Sequence, residues 1–146
     1  MRYSESLLTN YVPDNIELPV KPIRVLVADD LEEVRQSLIT VMSLEDNIEV
    51  VGEAASGREA VKLASLLKPD VVVMDLEMPE PDGSVYDGIT ACSEIKERNL
   101  AKVVIILTIH IDLESRKRAT VAKCDYFIEK GTELHDFLKI LTSFKF

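Results

Sequence analysis

Val71-Val72-Val73-Met74-Asp75-Leu76-Glu77-Met78-Pro79 is a run of four apolar residues that meets an aspartate and is soon closed off by a proline. A continuous, β-branched apolar run reads as a strand buried on both faces. Pro79 cannot continue such a strand, because it has no N–H for the ladder. Asp75 therefore stands where a buried strand gives out. In open α/β sheets that edge is where ligands bind.

Outward from this stretch, strands and helices alternate. Ile23 to Ala28 is expected as a strand, apolar apart from Arg24, that ends at Asp29-Asp30. Leu31, Val34, Leu38, Ile39 and Met42 recur at helical spacing and predict a helix from Leu31 to about Leu44. Ile48 to Ala54 reads as a second strand. Ser56-Gly57-Arg58-Glu59 is a capping-box signature, and the helix it opens runs to about Leu67, before Pro69. A loop from Glu80 to Gly88 holds two Asp-Gly turn signals. A third helix is expected over Ile89 to Arg98, with Ile89, Cys92 and Ile95 on one face. Val103 to Leu107 is a strand ending at Thr108. Asp112 to about Ala122 is a polar helix carrying Arg116, Lys117 and Arg118. Asp125 to Glu129 is a fifth strand ending at Lys130-Gly131. Thr132 is expected to cap a last helix to about Leu141, with Leu134, Phe137, Leu138 and Leu141 as its buried face. Fivefold alternation of this kind means an α/β protein, a parallel sheet with helices on both faces. Residues 1–21, broken by Pro13 and Pro19 and without a sustained period, read as an N-terminal extension; residues 22–146 form the domain.

With 146 residues there is room for one domain and one core. The net charge of −9 argues against general affinity for nucleic acid or anionic membranes, both of which need clustered positive charge. No apolar run reaches the ~18 residues of a membrane span, and the first residues lack the basic-then-apolar layout of a signal peptide. A cytoplasmic location is expected. Cys92 and Cys124 are too few for a disulfide scaffold and lack metal-ligand spacing, so both are read as buried thiols in a reducing compartment.

Several strand ends carry polar residues that would be unfavourable in a core: Asp29 and Asp30, Asp75, Thr108 and Lys130. In a parallel sheet the C-terminal strand ends share one edge, so three carboxylates, a hydroxyl and an ammonium should converge there. Carboxylates so close repel and raise one another's pKa. A hard divalent cation relieves this, and Mg2+ suits carboxylate oxygens together with water and phosphate. Lys130 adds a point charge for an anion and Thr108 a hydroxyl donor. Such a site is built to handle a phosphoryl group, with Asp75 as nucleophile. Neither histidine is placed as a base; His110 is expected to point away and His135 lies on the last helix.

In this order, on this alternation, Asp29-Asp30, Asp75, Thr108 and Lys130 resemble the receiver domain of two-component response regulators, over about residues 23–142. Val50-Val51-Gly52-Glu53-Ala54 and the stretch from Lys68-Pro69-Asp70 through Met78-Pro79 look most like receivers of the LuxR/FixJ (NarL-like) subfamily. The resemblance implies a flavodoxin-like five-stranded sheet of order 2-1-3-4-5 with five helices. It implies that Asp75 accepts phosphate from a phosphohistidine on a sensor histidine kinase, in a self-catalysed transfer rather than as an enzyme with a turnover substrate. Asp30 and Asp75 would bind Mg2+, helped by Asp29 and the main-chain carbonyl of Glu77. Thr108 and Lys130 would hold phosphoryl oxygens. Phe127 would be a switch coupled to Thr108, and the surface of the fourth helix, fifth strand and fifth helix would report the state. Homodimerisation on phosphorylation, and an output through a partner protein or a DNA-binding domain outside this chain, are further implications; the chain itself is not expected to contact nucleic acid or membrane.

The pattern is not uniform. The interval of 33 positions from Asp75 to Thr108 is longer than the family suggests, and the extra residues fall around Glu80 to Tyr86, read as a surface insertion. Ile109 is bulkier than the small residue often found after the threonine and is expected to narrow access to Asp75. Two other readings are carried. A haloacid-dehalogenase-type hydrolase also uses a strand-end aspartate but wants an aspartate two positions on, where Glu77 stands. A receiver-like scaffold that is never phosphorylated would not need the intact set.

Overall fold

The computed structural model describes residues 21–146, so the expected N-terminal extension lies outside the described residues except for Lys21. Five strands, β1 (Ile23–Ala28), β2 (Ile48–Ala54), β3 (Val71–Met74), β4 (Val103–Thr108) and β5 (Tyr126–Glu129), form one sheet in the order β2-β1-β3-β4-β5. Every pairing is parallel. Five helices alternate with them: α1 (Glu32–Met42), α2 (Gly57–Leu67), α3 (Gly88–Glu97), α4 (Leu113–Val121) and α5 (Leu134–Thr142). This is the flavodoxin-like arrangement expected above.

The strand period divides the core in two. Leu26, Ala28, Val72, Met74, Val104 and Ile106 point to the face covered by α2, α3 and α4. Val25, Val27, Val71, Val73, Ile105 and Leu107 point to the other, where Met42 of α1 and Phe137 and Leu141 of α5 close over them. All four residues of β3 are buried, as its apolar run requires of a central strand. Burying each such side chain contributes about 1.5–3 kcal/mol, so these two layers outweigh any single polar contact in holding the sheet.

Charged residues join the elements at the opposite edge. Arg24, the polar residue of β1, donates through its guanidinium to the carbonyls of Leu67 (2.9 Å) and Lys68 (2.8 Å), where α2 ends and a cation is favoured. Asp70 stands just before β3, and its carboxylate accepts the Arg24 N–H at 2.9 Å. Asp125 repeats the device before β5, accepting the Val104 N–H at 2.8 Å. Each aspartate satisfies a strand donor that no ladder partner reaches.

Local differences from the sequence reading have simple causes. Ser56 caps α2 through the Glu59 N–H, but the Glu59 carboxylate lies 3.5 Å from the N–H of Ala55 rather than returning to Ser56. Thr132 does not cap α5: the cap position falls one residue later, to Glu133, with no side-chain bond, and Thr132 belongs to a turn in which its N–H donates to the Glu129 carbonyl. Leu134 is exposed and Leu138 only half-buried, because α5 covers the sheet through Phe137 and Leu141. Tyr126 faces away from Phe127, as strand alternation requires, and packs edge-on against Phe144 at 5.6 Å.

Asp70→Ala removes a charge-assisted acceptor from a part-buried strand donor. It is expected to lower stability by about 1.5–3 kcal/mol, seen as a fall in the midpoint of thermal or urea unfolding with the sheet signature in circular dichroism retained. An unchanged midpoint would show that the Arg24 N–H finds water instead.

Candidate functional site

The C-terminal ends of β1, β3 and β5 deliver three side chains to one point. Asp29 follows β1 and is 1% exposed; its own N–H pairs with the Ala54 carbonyl at 3.0 Å and its Oδ1 accepts the Leu31 N–H at 2.9 Å. Asp75 follows β3 and is 8% exposed, its N–H bonded to the Ala28 carbonyl at 3.0 Å. Lys130 follows β5, its N–H bonded to the Thr108 carbonyl at 2.9 Å. These backbone bonds extend the parallel ladder one step beyond each strand and fix where each side chain starts. Lys130 Nζ then lies 3.1 Å from Asp29 Oδ2 and 3.1 Å from Asp75 Oδ2. Asp30, which is not buried, completes a triad with Asp29 and Asp75 in which one carboxylate oxygen from each lies within 4.8 Å of the others.

The electrostatics of this cluster are unbalanced. Burial raises the Asp75 pKa above the ordinary carboxylate range, and the nearby charge of Asp29 adds to the rise; the charge and hydrogen bond of Lys130 oppose it without cancelling it. For Lys130, burial alone would depress the ammonium. Its hydrogen bonds and charge pairing with Asp29 and Asp75 reverse that, leaving its pKa above the usual lysine value. The pair thus stays ionic around Lys130, while Asp75 is left with less positive charge than a buried carboxylate needs. The oxygens present are the hard donors that suit Mg2+, and the triad fits such an ion.

Thr108 is fully buried at the end of β4. Its Oγ1 accepts the His110 N–H at 3.0 Å, which leaves the hydroxyl hydrogen free to donate. His110 does not point away as expected: the chain leaves the strand at Thr108, and His110 Nε2 reaches Glu77 Oε1 at 3.0 Å. The exposed Glu77 side chain is thereby tied to the chain that follows β4. Ile109 is 69% exposed and stands in solvent. Phe127 is half-buried beneath the Arg116 guanidinium, 5.5 Å from the ring centroid.

The lengthened loop is more than a surface insertion. Glu80 is buried and its Oε1 accepts the Arg58 N–H, at 3.0 Å, in the first turn of α2. Arg58 lies over the Tyr86 ring at 4.6 Å, and Tyr86 donates its hydroxyl to Glu94 Oε2 at 2.7 Å. The loop is tied at both ends, to α2 and to α3, and only its tip, including Val85, stands free in solvent. A buried glutamate in a Pro-Glu-Pro-Asp-Gly context carries no sequence signal of burial.

Two further residues shape the site and escaped the sequence reading. Arg35 donates to the Asp29 carbonyl at 2.7 Å and pairs with Glu53 at 2.8 Å, so it holds the turn that presents Asp29 and Asp30. Gly88, the first residue of α3, lies so close to the end of β3 that a Cβ there would sit 2.0 Å from the Asp75 carbonyl oxygen. No side chain fits at this approach. The Asp87-Gly88 step signals a turn in sequence; its contact with Asp75 is a long-range fact that spacing does not reveal.

Residues 25–142 match the family described as the response regulator receiver domain. The chain is 38% identical over 117 residues to the transcriptional regulatory protein PdtaR of Mycobacterium tuberculosis, covering 80% of this chain and 54% of that protein. It is 40% identical over 114 residues to the response regulator protein VraR of Staphylococcus aureus, covering 78% of this chain and 52% of that one. It therefore spans about half the length of these curated relatives. Among solved structures, a LuxR-family two-component response regulator from Aurantimonas sp. SI85-9A1 superposes with a TM-score of 0.74 at 27% identity, over 84% of each chain. The coverage of the family match and the identity to these relatives leave one conclusion: the chain belongs to the response regulator receiver family, and its likeness is to receivers of LuxR-type regulators.

Proposed function

We propose that Asp75 accepts a phosphoryl group from the phosphohistidine of a sensor histidine kinase, in a reaction that depends on Mg2+, and that the face formed by α4, β5 and α5 carries the state to an output. The observation that carries this reading is the Lys130 ammonium bonded at once to Asp29 and Asp75, beside a triad of carboxylates on one sheet edge. Receiver domains bind Mg2+ at an acidic pocket of this kind.

Each residue has a role that its position supports. An Asp75 oxygen forms the bond to phosphorus while the bond from phosphorus to the histidine nitrogen breaks, its electron pair leaving with the imidazole. Lys130 meets the charge on a phosphoryl oxygen, and the Thr108 hydroxyl donates to another. Asp29, Asp30, Asp75 and the main-chain carbonyl of Glu77 would hold Mg2+, which when bound offsets both the repulsion among the carboxylates and the negative charge of the incoming phosphoryl group. Thr108 moving toward that group would shift β4, whose Ile106 lies beside Phe127 of β5. Phe127 and Arg116 above it would then pass the change to α4. Arg116 and Arg118 are already engaged within the domain, Arg116 also with the Ile111 carbonyl at 3.1 Å and Arg118 with Asp87 at 2.7 Å. A rearrangement of α4 would free part of this basic face for a second copy of the chain, a partner protein or an attached DNA-binding domain.

Incubating the protein with acetyl phosphate and MgCl2 and measuring intact mass tests the transfer. The wild type is expected to gain one phosphoryl group and Asp75→Asn none. A wild type without added phosphate, or an equally labelled variant, refutes the assignment; steady release of phosphate from an ester would instead identify a hydrolase.

A second expectation follows from the sign of the Asp75 shift. An acid whose pKa is higher in the folded than in the unfolded protein disfavours folding above the folded value, and the penalty vanishes below the unfolded value. Without Mg2+, Asp75→Asn should therefore unfold at a higher temperature than wild type near neutral pH, by a few degrees. The gap should close as pH falls through the folded pKa of Asp75 toward the ordinary carboxylate value. Added MgCl2 should raise the wild-type midpoint more than the variant's. Differential scanning calorimetry across pH measures both, and a variant less stable than wild type at neutral pH would contradict the charge imbalance described for the site.

A further inference from the structure

The two cysteines of the chain are 32 positions apart in sequence and meet in the fold. Cys92 lies on the buried face of α3 and is 0% exposed, with its Sγ 3.8 Å from the Ala122 carbonyl at the end of α4. Cys124 follows α4 and is half-buried, and the two sulfurs are 3.1 Å apart. The backbone around Cys124 is held firmly. Lys123 takes a left-handed conformation (φ 62°), the Lys123 N–H bonds the Thr120 carbonyl and the Cys124 N–H bonds the Ala119 carbonyl, each at 3.0 Å, which is a complete helix-ending motif. One turn along α3, Lys96 pairs with Asp125 at 2.8 Å, so the residues flanking the thiols are already clamped in register. Among the described residues no third cysteine, histidine or carboxylate joins the two sulfurs as a metal-ligand group.

We infer that Cys92 and Cys124 are a reversible disulfide site, closed by exchange with a small-molecule disulfide that enters at Cys124. Keeping its proton in the hydrogen bond with Cys124, together with burial, holds the Cys92 thiol far above the ordinary cysteine pKa, and its place on the buried face of α3 shields it. The half-exposed Cys124 is the sulfur that an oxidant reaches. Its thiolate attacks one sulfur of the small disulfide, whose S–S bond breaks and releases a thiolate. The released thiolate takes the Cys92 proton. The Cys92 sulfur then attacks Cys124 Sγ and expels the second small thiolate. Two protein thiols are oxidised to one disulfide, and one small disulfide is reduced to two thiols. A sensing cysteine beside a resolving partner is the arrangement that makes such oxidation reversible. The bond ties α3 to the end of α4 and the start of β5, three residues before Phe127.

Oxidised glutathione added to the reduced full chain, followed by alkylation and intact-mass measurement, tests this. The wild type is expected to lose two hydrogens, take up neither alkylating agent nor glutathione, and regain both thiols with dithiothreitol. Cys92→Ser should stop at a stable glutathione adduct on Cys124. Cys124→Ser should react at least about tenfold more slowly than Cys92→Ser, because only the shielded thiol is left. A wild type that retains a glutathione adduct, keeps both thiols free, or links two chains overturns the inference, as do equal rates for the two variants. If either serine variant fails to fold, the wild-type reaction alone decides.

Discussion

One ammonium group holds the working edge of this domain together. Lys130, at the end of the edge strand β5, reaches past β4 to Asp75 on β3 and to Asp29 on β1. That reach exists only because all five strands run parallel and finish on the same side. Were β5 antiparallel, its terminal lysine would lie at the opposite edge, with Asp70. The arrangement is also incomplete in charge. One ammonium faces three clustered carboxylates, two of them buried, and the desolvation of buried charge is met only where geometry and partners are both favourable. Asp75, with its pKa raised, is the group left short. A fold optimised for stability alone would not keep it there, which is the usual mark of a residue retained for chemistry.

Rigid surroundings make the shortage usable. Behind Asp75 lie the two apolar layers of the sheet, and against its carbonyl lies the start of α3, pressed close at Gly88. Arg35 fixes the turn after β1 and Glu80 pins the long loop to α2. The backbone that carries Asp75 is therefore held beside Asp29 and Asp30. A proton or a cation brought to the site would meet the imbalance, and the hard oxygen donors there suit a divalent cation.

How much of this could be read from sequence follows from the range of each interaction. The strands announce themselves because burial on both faces forces a continuous apolar run, and a polar residue ending such a run has few reasons to be there other than the edge. Asp29, Asp75 and Lys130 were legible for that reason, and parallel topology brings their side chains together without further information, with Thr108 ending the strand between β3 and β5. Arg35, Gly88, Glu80 and the Glu77–His110 pair were not legible, because each acts through a partner that neither strand period nor helix period places next to it. The Cys92–Cys124 meeting is of the same sort. The expectation that His110 points away does not follow from strand alternation, which puts residues two apart on one face, and the chain turns after Thr108 in any case. Thr132 is not the cap because the helix starts one residue later than expected, with Glu133 in the cap position, a boundary that residue type alone does not reveal.

The same energetics bear on how firmly α4 is held. Helix α2 buries Gly57, Ala60, Val61 and Ala64, whereas α4 buries Ala119 alone. What else holds α4 is polar and near the surface: Arg118 to Asp87, Arg116 to the Ile111 carbonyl and Arg116 over Phe127. A surface ion pair is worth about 0–1 kcal/mol and an exposed cation–π contact about 0.5–1 kcal/mol. Their sum is of the order of the 1–3 kcal/mol by which typical ligands couple distant sites. Helix α2, packed through a whole apolar face, is beyond that range; α1 buries Met42 alone, so α4 differs from it in where its ties lead when a change occurs at the strand ends. Two of the three ties run to the places such a change would reach first, the loop after β3 and the ring of Phe127 on β5. The end of α4 is where Cys92 and Cys124 meet, so a bond between them would act on a helix held largely by such small contacts.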